Sequence, residues 1–297
     1  MRFIEESKVA AVLRMEDLIP AMRQAMIDFS QGNVGQPTRQ ILSVKEHNGF
    51  FGGMPAVTPA GMGAKLVAFY PNNGKKNLPT HMATIVLFDP ETGEPLVVMD
   101  GRLITEMRTA AVTATFVHAV AAPDVKTLAI LGAGLQGESH IEALSHVRKF
   151  DEIRIWNRTP ERAAKLAEKV GGKAMGAEEA VSGADIVITT TGSTEPIIDG
   201  RWLAPGTKVA SVGWSGADGA ELDAATMRNT VVVDSRAGTE AESGNVRRYH
   251  PEIYAELGEL LDGSRPVDSS VTVVFDSIGM ACQDVVAAAL VWEKIGA

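Results

Sequence analysis

The spacing of apolar residues changes twice along the chain and divides it into three stretches. From residue 1 to about 115, a helical period over Met15 to Phe29 precedes strand-like runs, among them Phe50-Phe51-Gly52-Gly53-Met54 and Ala83-Thr84-Ile85-Val86-Leu87-Phe88. Turn residues interrupt these runs at Pro71-Asn72-Asn73-Gly74 and at Asp89-Pro90-Glu91-Thr92-Gly93. The second turn joins two apolar runs and predicts an antiparallel hairpin. A long helix from about Leu103 to Ala121 leads out of this stretch.

From about 125 to 235 the pattern becomes short apolar strands alternating with helical segments, the signature of βαβ units and a parallel sheet. Strands are predicted at Thr127–Leu131, Ile153–Trp156, Ile186–Thr190, Lys208–Val212 and Thr230–Val233. A helix is predicted from about Leu135 to Lys149, and another opens at Thr159-Pro160, with Thr as the cap and Pro at the first helical position. The third stretch holds a strand, Val271–Phe275, and a helix from Gly279 to Glu293.

Composition narrows the functional classes. The 297 residues carry 28 Lys and Arg against 37 Asp and Glu, a net charge of −9 that disfavours nucleic acid or an anionic membrane as partner. No apolar run is long enough to span a membrane, and the start, Met1-Arg2-Phe3-Ile4-Glu5-Glu6, reaches charge too soon for a signal peptide. The lone cysteine, Cys282, forms no intrachain disulfide, and no Cys/His cluster has zinc spacing. A reducing, cytoplasmic setting without a metal is expected.

The most specific motif is Leu128-Ala129-Ile130-Leu131-Gly132-Ala133-Gly134-Leu135-Gln136-Gly137, a strand, then G-x-G-x-x-G, then a helix. Gly132 permits the tight turn, Gly134 lets backbone approach a pyrophosphate, and Gly137 lets the helix pack on the strand. The helix N-terminus, with Leu135 and Gln136 in its first turn, offers free N–H groups to the phosphates. This predicts a Rossmann dinucleotide-binding domain. At the end of the second strand an NAD site usually carries an acid, which accepts from the ribose hydroxyls. Here Asn157 stands in that place, followed by Arg158 and Thr159, which suit a 2′-phosphate. NADP is favoured over NAD; the alternative is that Arg158 is a solvated loop residue. Thr190, Thr191 and Val212 end strands at the carboxyl edge where ligands bind in open α/β sheets, or belong to ordinary polar loops.

Several local features precede and follow this unit: Pro37-Thr38-Arg39, Met54-Pro55-Ala56, Gly63-Ala64-Lys65, Leu78-Pro79-Thr80-His81, Glu106-Met107-Arg108-Thr109-Ala110-Ala111 and Phe275-Asp276-Ser277-Ile278-Gly279-Met280-Ala281. In order and spacing the chain resembles the ornithine cyclodeaminase/mu-crystallin family along essentially its whole length. Trp156-Asn157-Arg158-Thr159 is similar to the NADPH-binding mu-crystallin branch.

The resemblance implies an α/β protein with two domains. A Rossmann domain would occupy 116–269, and 1–115 with 270–297 would form an α+β domain for substrate binding and homodimerisation. It implies that Arg39, Lys65 and Arg108 bind a substrate carboxylate, that the region of Thr80 and His81 lies against the nicotinamide and binds substrate, with His81 as an ordinary loop residue the open alternative, and that Thr109 belongs to the cofactor site. Arg108 also has a direct argument. It shares a helical stripe with Ile104, Ala111 and Val112, and a buried Arg needs an anion. That anion is a substrate carboxylate or, alternatively, an acidic core residue; a third possibility is an Arg that reaches out to water.

Cyclodeaminases carry an Asp shortly after the Val-Gly that ends a Rossmann strand. Here the run is Val212-Gly213-Trp214-Ser215-Gly216-Ala217-Asp218, with Ser215 aligned to the acid and Asp218 three residues later. Serine accepts no proton at neutral pH, and ketimine reductases of the mu-crystallin type have Ser at this place. The expected activity is NAD(P)H-dependent reduction of a small cyclic α-imino acid, with Lys65, Arg108 and Ser215 in catalytic roles. Open alternatives are an ornithine cyclodeaminase or amino-acid dehydrogenase, a redox-neutral dehydratase on the same scaffold, and a non-catalytic NADP-dependent ligand-binding protein.

Overall fold

A computed structural model describes residues 2–214 and 216–296. The chain forms two compact units, Met1–Arg108 with Met280–Ala297, and Thr109–Gly279. In the first unit, β1 (Arg2–Ile4), α1 (Glu6–Val12) and α2 (Met15–Ser30) precede β2 (Gln40–Val44), β3 (Gly49–Thr58), β4 (Gly61–Phe69), β5 (His81–Phe88) and β6 (Pro95–Asp100). The sheet order is β1-β6-β5-β4-β3-β2. β1 runs parallel to β6, and all other neighbours are antiparallel. The predicted hairpin is β5–β6, closed by Asp89, whose backbone N–H donates to the Glu94 carbonyl at 2.9 Å.

The pleat gives this sheet two different faces. Met54, Ala56, Lys65, Val67, Ala83, Ile85, Leu87, Val97 and Met99 are buried on one. On the other, Leu42, Phe51, Val57, Leu66 and Met82 are exposed, at 68, 42, 50, 45 and 39%.

α3 (Arg102–Val120) begins where the Asp100 carboxylate accepts from the Arg102 backbone N–H at 2.8 Å. The second unit continues with β7 (Thr127–Leu131), α4 (Leu135–Ser145), β8 (Glu152–Trp156), α5 (Pro160–Val170), β9 (Lys173–Ala174), α6 (Ala177–Val181) and β10 (Ile186–Thr189). Then follow β11 (Lys208–Ser211), β12 (Thr230–Val233), α7 (Arg236–Glu242), α8 (Gly244–Tyr249), β13 (Ile253–Glu256), α9 (Leu257–Leu261) and β14 (Val273–Asp276). The eight strands are ordered β13-β12-β14-β11-β10-β7-β8-β9, all parallel. The mostly apolar strands read from the sequence form its centre, with Ala129, Leu131, Val187, Val209, Val231, Val233 and Val274 in one core. α10 (Ala281–Gly296) returns to the first unit and packs on α2 and on β3, β4 and β5.

The sequence places the boundaries after 115 and 269, whereas the compact units meet at Arg108/Thr109 and Gly279/Met280. The difference at the second boundary has a clear cause. β14 pairs with both β11 and β12, so it belongs to the parallel sheet and not to the tail. α4 stops at Ser145, short of the Lys149 expected. Pro160 does sit in the first turn of α5, but the Thr159 side chain makes no capping bond.

Candidate functional site

The carboxyl edge of the parallel sheet is built by the glycine motif between β7 and α4. Gly132 has φ +124°, a conformation that side chains rarely adopt. A Cβ at Gly137 would lie 2.0 Å from the Gly132 carbonyl oxygen, so this glycine is what lets α4 approach β7. A Cβ at Gly134 would meet no atom within 4 Å, which leaves an open cradle in front of the helix N-terminus. Gly134 caps α4 without any side-chain bond, so the first-turn N–H groups of Leu135, Gln136 and Gly137 face that cradle with no cap. Beside them, the Gln136 Oε1 is shut from solvent and has no hydrogen-bond partner among the described residues. This combination fits an anionic dinucleotide backbone.

The neighbouring residues divide into those that shape the cradle and those that stand open to a ligand. Asn157 is committed within the protein: its Oδ1 accepts from the Ala133 N–H at 3.1 Å, and its Nδ2 donates to the Thr159 carbonyl at 3.0 Å. Arg158 and Thr159 are exposed at the end of β8, and Arg158 forms no ion pair among the described residues. Thr190 Oγ1 donates to the Gly132 carbonyl at 3.0 Å and locks the turn. Thr109 lies buried on α3, where its carbonyl accepts from Thr113 Oγ1 at 3.3 Å.

An unforeseen acid organises the adjacent strand ends. Glu221 is 1% exposed and accepts from Thr189 Oγ1, the Thr191 backbone N–H and Oγ1, Ser211 Oγ and the Gly213 backbone N–H, at 2.6–3.0 Å. Val212, between Ser211 and Gly213, donates its own N–H to the Thr189 carbonyl at 3.0 Å. Burial pushes the Glu221 carboxyl up, and the Thr191, Thr189 and Ser211 bonds oppose the shift. Asn245 Nδ2 links Ser211 Oγ, at 3.0 Å, to the Asp276 carboxylate, at 2.7 Å. Asp276 is raised to about 6 by burial, against the hydrogen bonds of Ser243 and Asn245.

The first unit holds a separate charged cluster. Lys65 on β4 and Arg108 on α3 are 2% and 5% exposed, and both meet Asp284 of α10, which is fully buried. Lys65 Nζ lies 2.6 Å from Asp284 Oδ2, and Arg108 Nε lies 3.0 Å from Asp284 Oδ1. Arg108 Nη1 also donates to Gln283 Oε1 at 2.7 Å. An acidic core partner for Arg108 was one of the sequence alternatives. Two cations sharing one carboxylate still leave a positive excess in a buried place. The cluster relieves it through Lys65, whose pKa falls to about 7, chiefly by burial and further through Arg108 and Arg39, against the pull of Asp284. Asp284 itself is lowered: burial pushes it up, but Arg108 and Lys65 outweigh that.

His81, at the start of β5, is lowered to about 4 by burial and by the same two cations, so it is a neutral imidazole at physiological pH. Arg39 is half-buried, and its charge is felt at Lys65. Thr80 is exposed in the loop, with its carbonyl accepting from the Tyr70 N–H at 2.8 Å. Lys65, Arg108, Arg39 and His81 are therefore brought together around Asp284 and Gln283, which the sequence reading missed. The signal was available: Gln283 and Asp284 are the only polar residues in the apolar run from Ala281 to Val291.

Ser215 lies outside the described residues. Asp218 is exposed, and its backbone carbonyl accepts from Arg248 Nη2 at 3.4 Å. Among the described residues, no cluster of three or more His, Cys, Asp or Glu could hold a metal ion, and no helix is long and apolar enough to cross a membrane.

A model of the ornithine cyclodeaminase/mu-crystallin family matches residues 2–297. The chain is 43% identical to the ketimine reductase mu-crystallin of Mus musculus, over 98% of this chain and 96% of the relative. Among solved structures, the Thermococcus litoralis Δ1-pyrroline-2-carboxylate reductase, in complex with NADH and L-proline, is 33% identical with a TM-score of 0.94. That match covers 99% of this chain and 97% of the other. An archaeal alanine dehydrogenase, a dimer with bound NAD, is 28% identical with a TM-score of 0.93, covering 99% and 95%.

Proposed function

Because the chain belongs to the ornithine cyclodeaminase/mu-crystallin family, we propose that it is an NAD(P)H-dependent reductase of a small cyclic α-imino acid, of the pyrroline- or piperideine-2-carboxylate type. The observation that carries this reading is the buried excess of positive charge at Lys65, Arg108 and Asp284. Burial drops the Lys65 pKa to about 7, and a substrate carboxylate beside it would favour the protonated lysine and balance the charge. Arg108 supplies a fixed, planar charge, and Lys65 a point charge that follows its anion.

When bound, the dinucleotide supplies a hydride. The chain's residues hold the substrate by its carboxylate and limit its orientations, the larger part of what a cofactor enzyme contributes. A cyclic imine that binds already protonated needs no strong general acid. His81, held neutral, serves as a hydrogen-bonding group at the ring nitrogen, with Thr80 and Ser215 as the other candidates. Arg39 adds to the positive field.

In the cofactor site, Gly132, Gly134, Leu135, Gln136 and Gly137 take the pyrophosphate. Thr109, Asn157, Thr159, Thr190, Thr191 and Val212 complete the walls. Arg158, exposed and without an ion pair among the described residues, pairs with a 2′-phosphate, so NADPH is preferred. The open apolar sheet face around Phe51, Val57 and Leu66 supports a homodimer formed through it. A cytoplasmic location belongs to the same reading. The test is a panel of cyclic imino acids, α-keto acids, ornithine and amino acids, assayed with NADPH, NADH and their oxidised forms. Rapid NADPH oxidation with cyclic imino acids is expected; ammonia release from ornithine as the dominant activity would overturn the reading.

A further inference from the structure

We propose that Glu221 is a positioning residue for the nicotinamide half of the dinucleotide, fixing the ends of β10 and β11 as one rigid wall. The inference rests on the dinucleotide site proposed above. The strand order reverses at β7: β8 and β9 lie on one side, β10 and β11 on the other. A dinucleotide bound across such a reversal puts one nucleotide half over each side. Arg158, the proposed reader of a 2′-phosphate, lies in the loop just past the end of β8 at Trp156, so the adenosine half belongs there and the nicotinamide half belongs to the ends of β10 and β11.

Among the described residues, those two ends are joined by the strand ladder and by little else besides Glu221. β10 stops at Thr189 and β11 at Ser211, and both continue as loop. Glu221 reaches in from the loop after β11 and takes five hydrogen bonds. Oε1 accepts both donors of Thr191, at 2.6 Å each. Oε2 accepts Thr189 Oγ1 at 2.7 Å, and Ser211 Oγ and the Gly213 N–H at 3.0 Å each. Two of the donors are backbone N–H groups, one beyond each strand, so the carboxylate sets main-chain positions. The fit is tight: a Cβ at Gly213 would lie 2.5 Å from Glu221 Oε1 and 2.0 Å from the Thr191 carbonyl oxygen. Thr191 therefore spends both its hydroxyl and its N–H on Glu221, and acts on a cofactor through the shape of the wall.

The arrangement tolerates no amide. All five partners can donate, and a glutamine would turn an NH2 toward either the Thr191 N–H or the Gly213 N–H. Thr189 gives an independent handle, because it is fully buried and, among the described residues, its hydroxyl bonds only Glu221.

The experiment compares binding of NADPH with binding of its fragment 2′-phospho-ADP-ribose, by titration calorimetry, in wild type, Glu221→Gln and Thr189→Val. Glu221→Gln is expected to weaken NADPH about ten- to a hundredfold and Thr189→Val about three- to tenfold, with fragment affinity within about twofold of wild type in both. In turnover, the loss is expected in kcat more than in the KM of the imine, because a displaced nicotinamide slows transfer without moving the carboxylate site. Equal losses of NADPH and fragment would reduce Glu221 to general support of the fold and overturn the proposal, as would unchanged NADPH affinity in both variants. If Glu221→Gln does not fold, Thr189→Val decides alone. A wild type that binds NADPH yet reduces no imine contradicts the proposed activity while the dinucleotide-to-fragment comparison still reads out Glu221.

Discussion

Replacing Lys65 by Met is predicted to make the protein more stable and nearly inactive. Met keeps much of the aliphatic length and removes the only group in the cluster that titrates near neutrality. The Lys65 pKa falls from 10.5 to about 7 on folding. At 1.36 kcal/mol per pKa unit, this corresponds to about 4–5 kcal/mol of stability forgone at pH 7. The sign follows from proton counting. Between about pH 7 and 10.5 the unfolded chain holds the lysine proton and the folded chain does not, so wild-type stability rises with pH across that window. The variant lacks this slope. After allowance for the lost Asp284 contact, Lys65→Met is expected to gain about 1–4 kcal/mol at pH 7, a gap that closes toward pH 10. Asp284 retains Arg108 at 3.0 Å. Urea unfolding at pH 7, 8.5 and 10 measures the gap. In parallel, loss of a charged carboxylate anchor is expected to lower kcat/KM for the imino acid by about 2–5 kcal/mol, or thirtyfold to several-thousandfold. A variant less stable than wild type at pH 7, or one with undiminished kcat/KM, would refute the idea that Lys65 sits in the fold at a cost for the sake of an external anion.

Gly134→Asp is expected to abolish dinucleotide binding in a protein that still folds, because a Cβ there meets no atom within 4 Å and the carboxylate carries the wrong charge for the cradle; undiminished cofactor titration would contradict this. Arg158→Ala is expected to weaken NADPH about ten- to a hundredfold and NADH little, and equal losses would show that Arg158 does not read the 2′-phosphate. Leu66→Arg, at the centre of the exposed sheet face, is expected to convert a dimer to monomers with the fold retained, as followed by sedimentation; a monomeric wild type would remove the premise.

The parallel sheet was legible because its strands are short and mostly apolar, with β7, β10, β11, β12 and β14 almost entirely buried, and because the glycine motif falls between a strand and a helix. The charged cluster was half legible. Lys65 and Arg108 stand out as basic residues among apolar neighbours, but their mutual partner lies 176 residues from Arg108 on α10. Only the fold brings Asp284 to them. The same holds for Glu221, which reads as one acid between Ala220 and Leu222 until the ends of β10 and β11 converge on it. The difference at the second boundary has a related origin. Val271–Phe275 follows a long loop, and nothing local tells that β14 inserts between β11 and β12.

The most direct test of the central claim follows the hydride itself. NADPH deuterated at nicotinamide C4 is mixed with a cyclic imino acid and the enzyme, and the product is examined by mass spectrometry and NMR. Reduction at the imine carbon predicts one deuterium at the α-carbon of a cyclic amino acid for each NADPH consumed. A cyclic product without deuterium, or cofactor that stays reduced while product accumulates, would contradict it.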